Sequence, residues 1–244
     1  MPDIHSYWRT DRPTEGFYTS ELPAEPAAQT VRTFLPDGYE PRYAYPLLVL
    51  FHPHGGNEET VLRLAPRVSR RNFVAISLRG PASLGARTDG RPACGWGDDP
   101  DLYTDYLVRA VEQTRRTYHV HSERVYLVGV YEGAAAAYRA AFELGDKVAG
   151  VASLNGGLPR PAPGCPLFRL DQARNLRVMI GHGIANAVVP HATAERDRQV
   201  FYAAGSDVRL ETYPTNHKLH PDMLKDLNKW VIGHVNAFHD MHVR

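Results

Sequence analysis

Apolar residues along this chain gather into short unbroken runs separated by longer stretches of mixed character. Runs at 46–51, 73–78, 124–130 and 148–154 read as strands buried on both faces, where the alternation of a half-exposed strand disappears. Segments 31–35, 177–181 and 207–213 read as further strands. The mixed stretches at 58–71, 101–118, 133–144, 192–204 and 221–238 read as helices. Their starts carry suitable chemistry: Asn57 is placed to cap the first, Asp99 or Asp101 sits at the positive end of the second, and Pro221 opens the last. Pro36-Asp37-Gly38 is a turn signal. Residues 79–100 hold five glycines and three prolines and read as one long loop, a length usually reserved for function. The 156–166 stretch is also rich in Gly and Pro. Strands alternating with helices predict an α/β architecture, a mostly parallel sheet of about seven or eight strands covered on both faces. In such sheets ligands bind beyond the carboxyl ends of the strands. The expected organisation is a lead-in over 1–30, extended or a short edge strand, and one domain over 31–244, its pocket roofed by the 79–100 loop.

Composition narrows the function classes. With 244 residues and 43% hydrophobic content the chain can bury a sizeable core. A net charge of +1 offers nothing to nucleic acid or an anionic membrane surface. Two cysteines, Cys94 and Cys165, make no disulfide framework, so the expected setting is a reducing cytoplasm. No apolar run approaches the ~20 residues of a membrane span, and the first residues lack the apolar core of a signal peptide.

The most informative segment is Gly129-Val130-Tyr131-Glu132-Gly133, which follows an apolar run and leads into an alanine-rich helix. Strand, tight turn, then helix is the setting of the G-x-S-x-G nucleophile elbow, with tyrosine where serine would stand. Two later loops fall into step with it: His182 to Pro190, reading H-G-I-A-N-A-V-V-P, and Pro214-Thr215-Asn216-His217 before the last helix. The chain resembles the α/β-hydrolases over roughly residues 30–238, specifically the phospholipase/carboxylesterase and dienelactone-hydrolase-like branch. The resemblance implies an α/β-hydrolase fold. It carries the nucleophile position onto Tyr131, the acid onto Asn186, where the family has aspartate, and the base onto His217. It also implies an oxyanion hole made by the backbone N–H groups of His54 and Glu132, because Phe51-His52-Pro53-His54-Gly55-Gly56 resembles the H-G-x-G-G loop with Pro53 replacing a glycine. His52, Trp96, Gly129 and Gly133 complete the expected pocket.

Each residue has a plainer role to set beside this one. Gly129 and Gly133 also suit any tight turn. A tyrosine hydroxyl stands several ångström farther from the backbone than a serine's, so the backbone-fixed geometry of attack is lost, and with an ordinary pKa near 10 it needs a strong partner. The expectation is that Tyr131 plugs the site. An amide at Asn186 admits the wrong histidine tautomer, a change worth about 10⁴ in kcat in a serine protease. Without a carboxylate beside it, His217 should be mostly neutral at pH 7. Tyr131 with His217 remains an alternative weak acid–base pair, and an unusual nucleophile a second alternative. Glu132 as a substitute acid is set aside, since its side chain should point away where the helix begins. Cys165 reads as a structural thiol, Asp98 and Asp99 as helix caps, and Arg79, Arg87 and Arg91 either as pocket-roof residues or as solvated charge. His52, His54, His182 and His217 lack acidic or thiol partners at ligand spacing, so no metal and no cofactor is called for. The expectation is therefore an esterase-like pseudoenzyme that takes a small-molecule ligand, with no nucleic acid and no membrane span, and with homo-oligomerisation left open.

Overall fold

The structure, a computed structural model, describes residues 15–23, 29–159 and 170–242, without the side chains of 170 and 238–242. Its centre is an eight-stranded sheet. In chain order the strands are β1 (Gly16–Leu22), β2 (Gln29–Leu35), β3 (Tyr45–Phe51), β4 (Val74–Leu78), then β7 (Val120–Val130), β8 (Gly150–Leu154), β9 (Arg177–Gly183) and β10 (Asp207–Tyr213). They lie in the order β1-β2-β4-β3-β7-β8-β9-β10. β2 runs antiparallel to both neighbours, and every pairing from β4 to β10 is parallel.

The continuous apolar runs follow from burial on both faces. In β3, Leu47, Val49 and Phe51 enter one core while Leu48 and Leu50 enter the other. The first core is closed by α3 (Asp101–Thr117), α4 (Gly133–Leu144) and α5 (His191–Ala203), through Leu107, Ala137, Tyr138 and Phe201. The second is closed by α1 (Glu58–Leu62), α2 (Ala65–Val68) and α6 (Pro221–His242), through Val61, Leu62, Leu227 and Trp230. No helix among the described residues is long and apolar enough to cross a membrane.

Two expectations about elements are corrected. The single helix over 58–71 is two short helices, and Pro66 explains the break. Proline has no N–H, and its ring collides with the carbonyl four residues back, that of Leu62, where α1 ends. Asn57 caps α1 as expected, accepting from the Thr60 N–H at 2.9 Å within a reciprocal capping box. The 79–100 segment is not one long loop. It contains an antiparallel hairpin, β5 (Ala82–Ala86) and β6 (Pro92–Gly95), separate from the main sheet.

Candidate active site

Four strands deliver the site from the carboxyl edge of the sheet. β7 ends at Val130, and Tyr131 follows with φ 55°, the left-handed conformation that costs a non-glycine residue about 1–2 kcal/mol. Backbone bonds hold the turn: Tyr131 N–H donates to Leu154 O, and Ala134 N–H to Tyr131 O, both at 3.0 Å. The two glycines that frame it are needed for close approach. A Cβ on Gly129 would fall on the backbone of Ala134, and one on Gly133 on the carbonyl of Phe51. The helix thus begins pressed against the ends of β3 and β7, and the side chain at position 131 stands clear of the sheet.

That side chain lies flat against His217. The two rings stack with centroids 4.2 Å apart and planes 30° from parallel. Burial pushes the tyrosine pKa up, with the Leu219 backbone amide opposing. A phenol stacked face to face on an imidazole is poorly placed to exchange a proton with a ring nitrogen, which needs an in-plane approach.

His217 is held on its other side by Asn186, whose Oδ1 lies 3.1 Å from the ring Nδ1. That oxygen also accepts the backbone N–H groups of Val188 at 3.1 Å and Val189 at 3.0 Å. Two amide donors fix this atom as the carbonyl oxygen, so the histidine nitrogen facing it must carry the proton. The expected tautomer error is therefore corrected: the loop orients the amide so that His217 keeps Nδ1–H and a free lone pair on Nε2. What the amide lacks is charge. Burial lowers the His217 pKa, partly countered by the nearby Glu132 carboxylate, and the imidazole is neutral at pH 7.

His182, fully buried, holds this loop by donating from Nε2 to Val189 O at 2.8 Å. With that nitrogen protonated, the 3.5 Å approach of the Asn186 amide nitrogen brings two donors together and is a contact without a hydrogen bond.

Glu132 departs most from expectation. Its side chain does not point away. Oε2 reaches back to accept the His54 backbone N–H at 3.2 Å. The donor assigned to an oxyanion hole is thus already engaged by a carboxylate of the protein itself. His52 is likewise not a pocket residue: it is fully buried, accepts Gly80 N–H on Nε2 at 2.9 Å and donates from Nδ1 to Pro53 O at 2.8 Å. Burial lowers its pKa and keeps it neutral. Trp96 is only 5% exposed, donates its indole N–H to His52 O at 2.9 Å, and lines a cavity of about 550 Å³ beside the hairpin.

The three loop arginines are absent from the walls of both cavities at the site. Arg79 pairs with buried Glu58, Arg91 with Glu59 at 3.1 Å, and Arg87 donates to Gly55 O at 2.6 Å. Asp99 accepts from Asp101 N–H at 3.0 Å at the start of α3, while Asp98 pairs instead with Arg139 at 2.8 Å. Cys165 lies outside the described residues. Among the described residues, no group of three or more His, Cys, Asp or Glu is arranged to hold a metal ion.

Two residues have no counterpart in the sequence reading. Asn155, fully buried at the end of β8 with φ 57°, donates to the carbonyls of His217 at 3.2 Å and Lys218 at 3.0 Å, and accepts Gly183 N–H at 2.8 Å. One amide therefore clamps the His217 loop to the strand that leads to Asn186. Asp197, 1% exposed in α5, accepts Leu158 N–H at 2.7 Å and so holds Leu158, which lines the smaller cavity, about 220 Å³, together with Tyr131 and His217. Burial raises its pKa, with the Leu158 amide and Arg196 opposing. The signal for Asn155 is an asparagine at the carboxyl end of a buried strand before two glycines. Nothing in the sequence of α5 marks Asp197.

An eight-stranded sheet with one antiparallel strand, helices on both faces and a strand-to-helix elbow at its carboxyl edge defines the α/β-hydrolase fold. Residues 41–235 match the model of the phospholipase/carboxylesterase family, and the chain belongs to that family. A protein of Nocardia uniformis subsp. tsuyamanensis, named "Putative esterase NocK", is 31% identical over 123 residues; these are 48% of this chain and 34% of that protein, so the match spans about a third of the relative's length. The Bacillus cereus carboxylesterase structure is similar with a TM-score of 0.63 at 20% identity, covering 85% of this chain and 95% of that one. A fungal esterase from Rhizomucor miehei gives 0.72 at 13% identity, with 96% and 87% covered. At these identities the structural likeness carries the fold alone.

Proposed function

We propose that this member of the phospholipase/carboxylesterase family binds a small ligand in its pocket without ordinary ester hydrolysis, with Tyr131, Asn186 and His217 in the nucleophile, acid and base positions. The single observation that carries this reading is the Tyr131 ring lying flat on His217. It fills the space a serine hydroxyl and an acyl carbonyl would need and offers no alkoxide in their place. Glu132 at the His54 amide supports the same conclusion, since an oxyanion would meet a carboxylate at its expected donor. Asn186 adds a smaller deficit: it preserves the histidine tautomer but supplies no charge to stabilise an imidazolium. A fluorophosphonate probe, followed by intact-mass spectrometry, tests the reading. The expected result is an unmodified chain. Stoichiometric addition at Tyr131 would overturn it.

A further inference from the structure

The cavity of about 220 Å³ beside His217 and the cavity of about 550 Å³ beside the hairpin share two wall residues, Glu132 and Ala135. Glu132 thus stands where the two meet, its exposed carboxylate accepting the His54 amide. The His54 amide, an expected oxyanion donor, is therefore taken by the protein's own carboxylate. The other charges in the walls are spoken for. Arg196, in the smaller cavity, gives its guanidinium to buried Asp197 at 3.2 Å. Arg139, in the larger, gives its own to Asp98 at 2.8 Å and to Gly97 O at 3.1 Å. His217 and Tyr131 add no charge. Glu132 makes no ion pair with a lysine or arginine among the described residues. Beyond it the smaller cavity is walled by Leu158, Val188, Val189 and Pro190.

We propose that Glu132 makes this pocket selective for small organic cations, an ammonium group on a compact apolar body, with the head against the carboxylate and the body along Leu158 and Val189. The proposal rests on the ligand-binding reading above. A carboxylate ligand of the same shape would have to displace Glu132 from His54 and would be repelled on the way. An exposed carboxylate attracts the cation and repels the anion by a few-fold each, so the preference between the two ions should be about fivefold or somewhat more.

Isothermal titration calorimetry with hexylammonium, hexanoate and hexan-1-ol tests it on the full chain. The expected result is hexylammonium binding about fivefold or more tighter than hexanoate, with hexan-1-ol between them. In Glu132→Gln the two ions should bind within about twofold of each other. Raising NaCl to about 0.5 M should shrink the wild-type preference without any substitution. Equal or tighter binding of hexanoate, a preference that survives in Glu132→Gln, or no binding by any of the three overturns the proposal. Hydrolysis of p-nitrophenyl butyrate by the same preparation separates the two claims. Turnover contradicts the non-hydrolytic reading and leaves the ion preference to be judged by calorimetry, whereas no turnover and no preference overturns the Glu132 proposal alone.

Discussion

The Asn186 side-chain oxygen holds the His217 Nδ1–H at 3.1 Å while accepting two backbone amides of its own loop. An aspartate in its place would find the same three donors already aimed at it. Asn186→Asp should therefore raise the His217 pKa from its burial-lowered position, as an adjacent carboxylate stabilises the imidazolium. Histidine ring resonances followed by NMR across pH read this directly. An unchanged titration would mean that the 186 side chain does not face His217 in solution.

Restoring the serine should rebuild a relay. Tyr131→Ser removes the stacked ring, and Asn186→Asp supplies the missing charge. The double variant should gain measurable hydrolysis of p-nitrophenyl butyrate and covalent labelling by a fluorophosphonate. Tyr131→Ser alone should already label, more slowly, because Asn186 keeps the tautomer. The missing charge should set the single variant behind the double by less than the ~10⁴ seen when a serine protease loses both charge and tautomer. A folded double variant that does neither would place the defect elsewhere, with Glu132 on the His54 amide as the next residue to change.

Asn155 should prove structurally expensive to replace. Asn155→Ala leaves the Gly183 amide and two carbonyls of the His217 loop without their partner and places an alanine at φ 57°. The buried Gly183 amide left unsatisfied, at ~1–3 kcal/mol, with ~1 kcal/mol of backbone strain, predicts a loss of about 3 kcal/mol. In a chain of this length that lowers Tm by roughly 6–12 °C. Asn155→Gly should recover only the strain component. A calorimetric shift under about 2 °C for Asn155→Ala would refute the clamp.

Buried histidines set the acid limit of stability. In α6, burial pulls His234 down to about 4 from an ordinary 6.5, with Arg177 adding to the effect and Asp207 opposing it. His52 and His182 are lowered for the same reason. A group whose folded pKa lies below its unfolded value binds its proton more readily when the chain is unfolded. Its stabilising contribution is complete above 6.5 and is lost as pH falls towards 4. Tm should therefore decline across that window, and His234→Gln should flatten part of the decline. A Tm that rises on acidification would contradict the assignment.

Much of the fold was legible because burial on both sheet faces erases polar alternation. The runs in β3, β4, β7 and β8 announce themselves, and the Gly129–Gly133 frame places the elbow. The hairpin at 82–95 was not legible: its first strand is mostly exposed and its pairing is irregular, so backbone hydrogen bonds hold it with little hydrophobic pattern to read. Pro66 could have flagged the split helix, since its clash with the Leu62 carbonyl is a local rule. The candidate site was legible as three loops, because Tyr131, Asn186 and His217 each follow a strand end, and the sheet brings those ends together. Glu132 was misread because its side chain turns onto the His54 amide of the loop after β3, and Asn155 was missed because a clamp between loops needs three-dimensional proximity that no spacing encodes.

On the reading proposed above, the Tyr131 ring closes a hydrolase site. Steady-state hydrolysis of p-nitrophenyl butyrate by the unmodified chain, beside its Tyr131→Phe variant, tests it most directly. The expected result is turnover near the uncatalysed background for both, with no difference between them. Turnover by the unmodified chain within roughly tenfold of an ordinary carboxylesterase, at a kcat on the order of 1 s⁻¹ or more, and abolished by Tyr131→Phe, would show the phenol to be a working nucleophile and contradict the account.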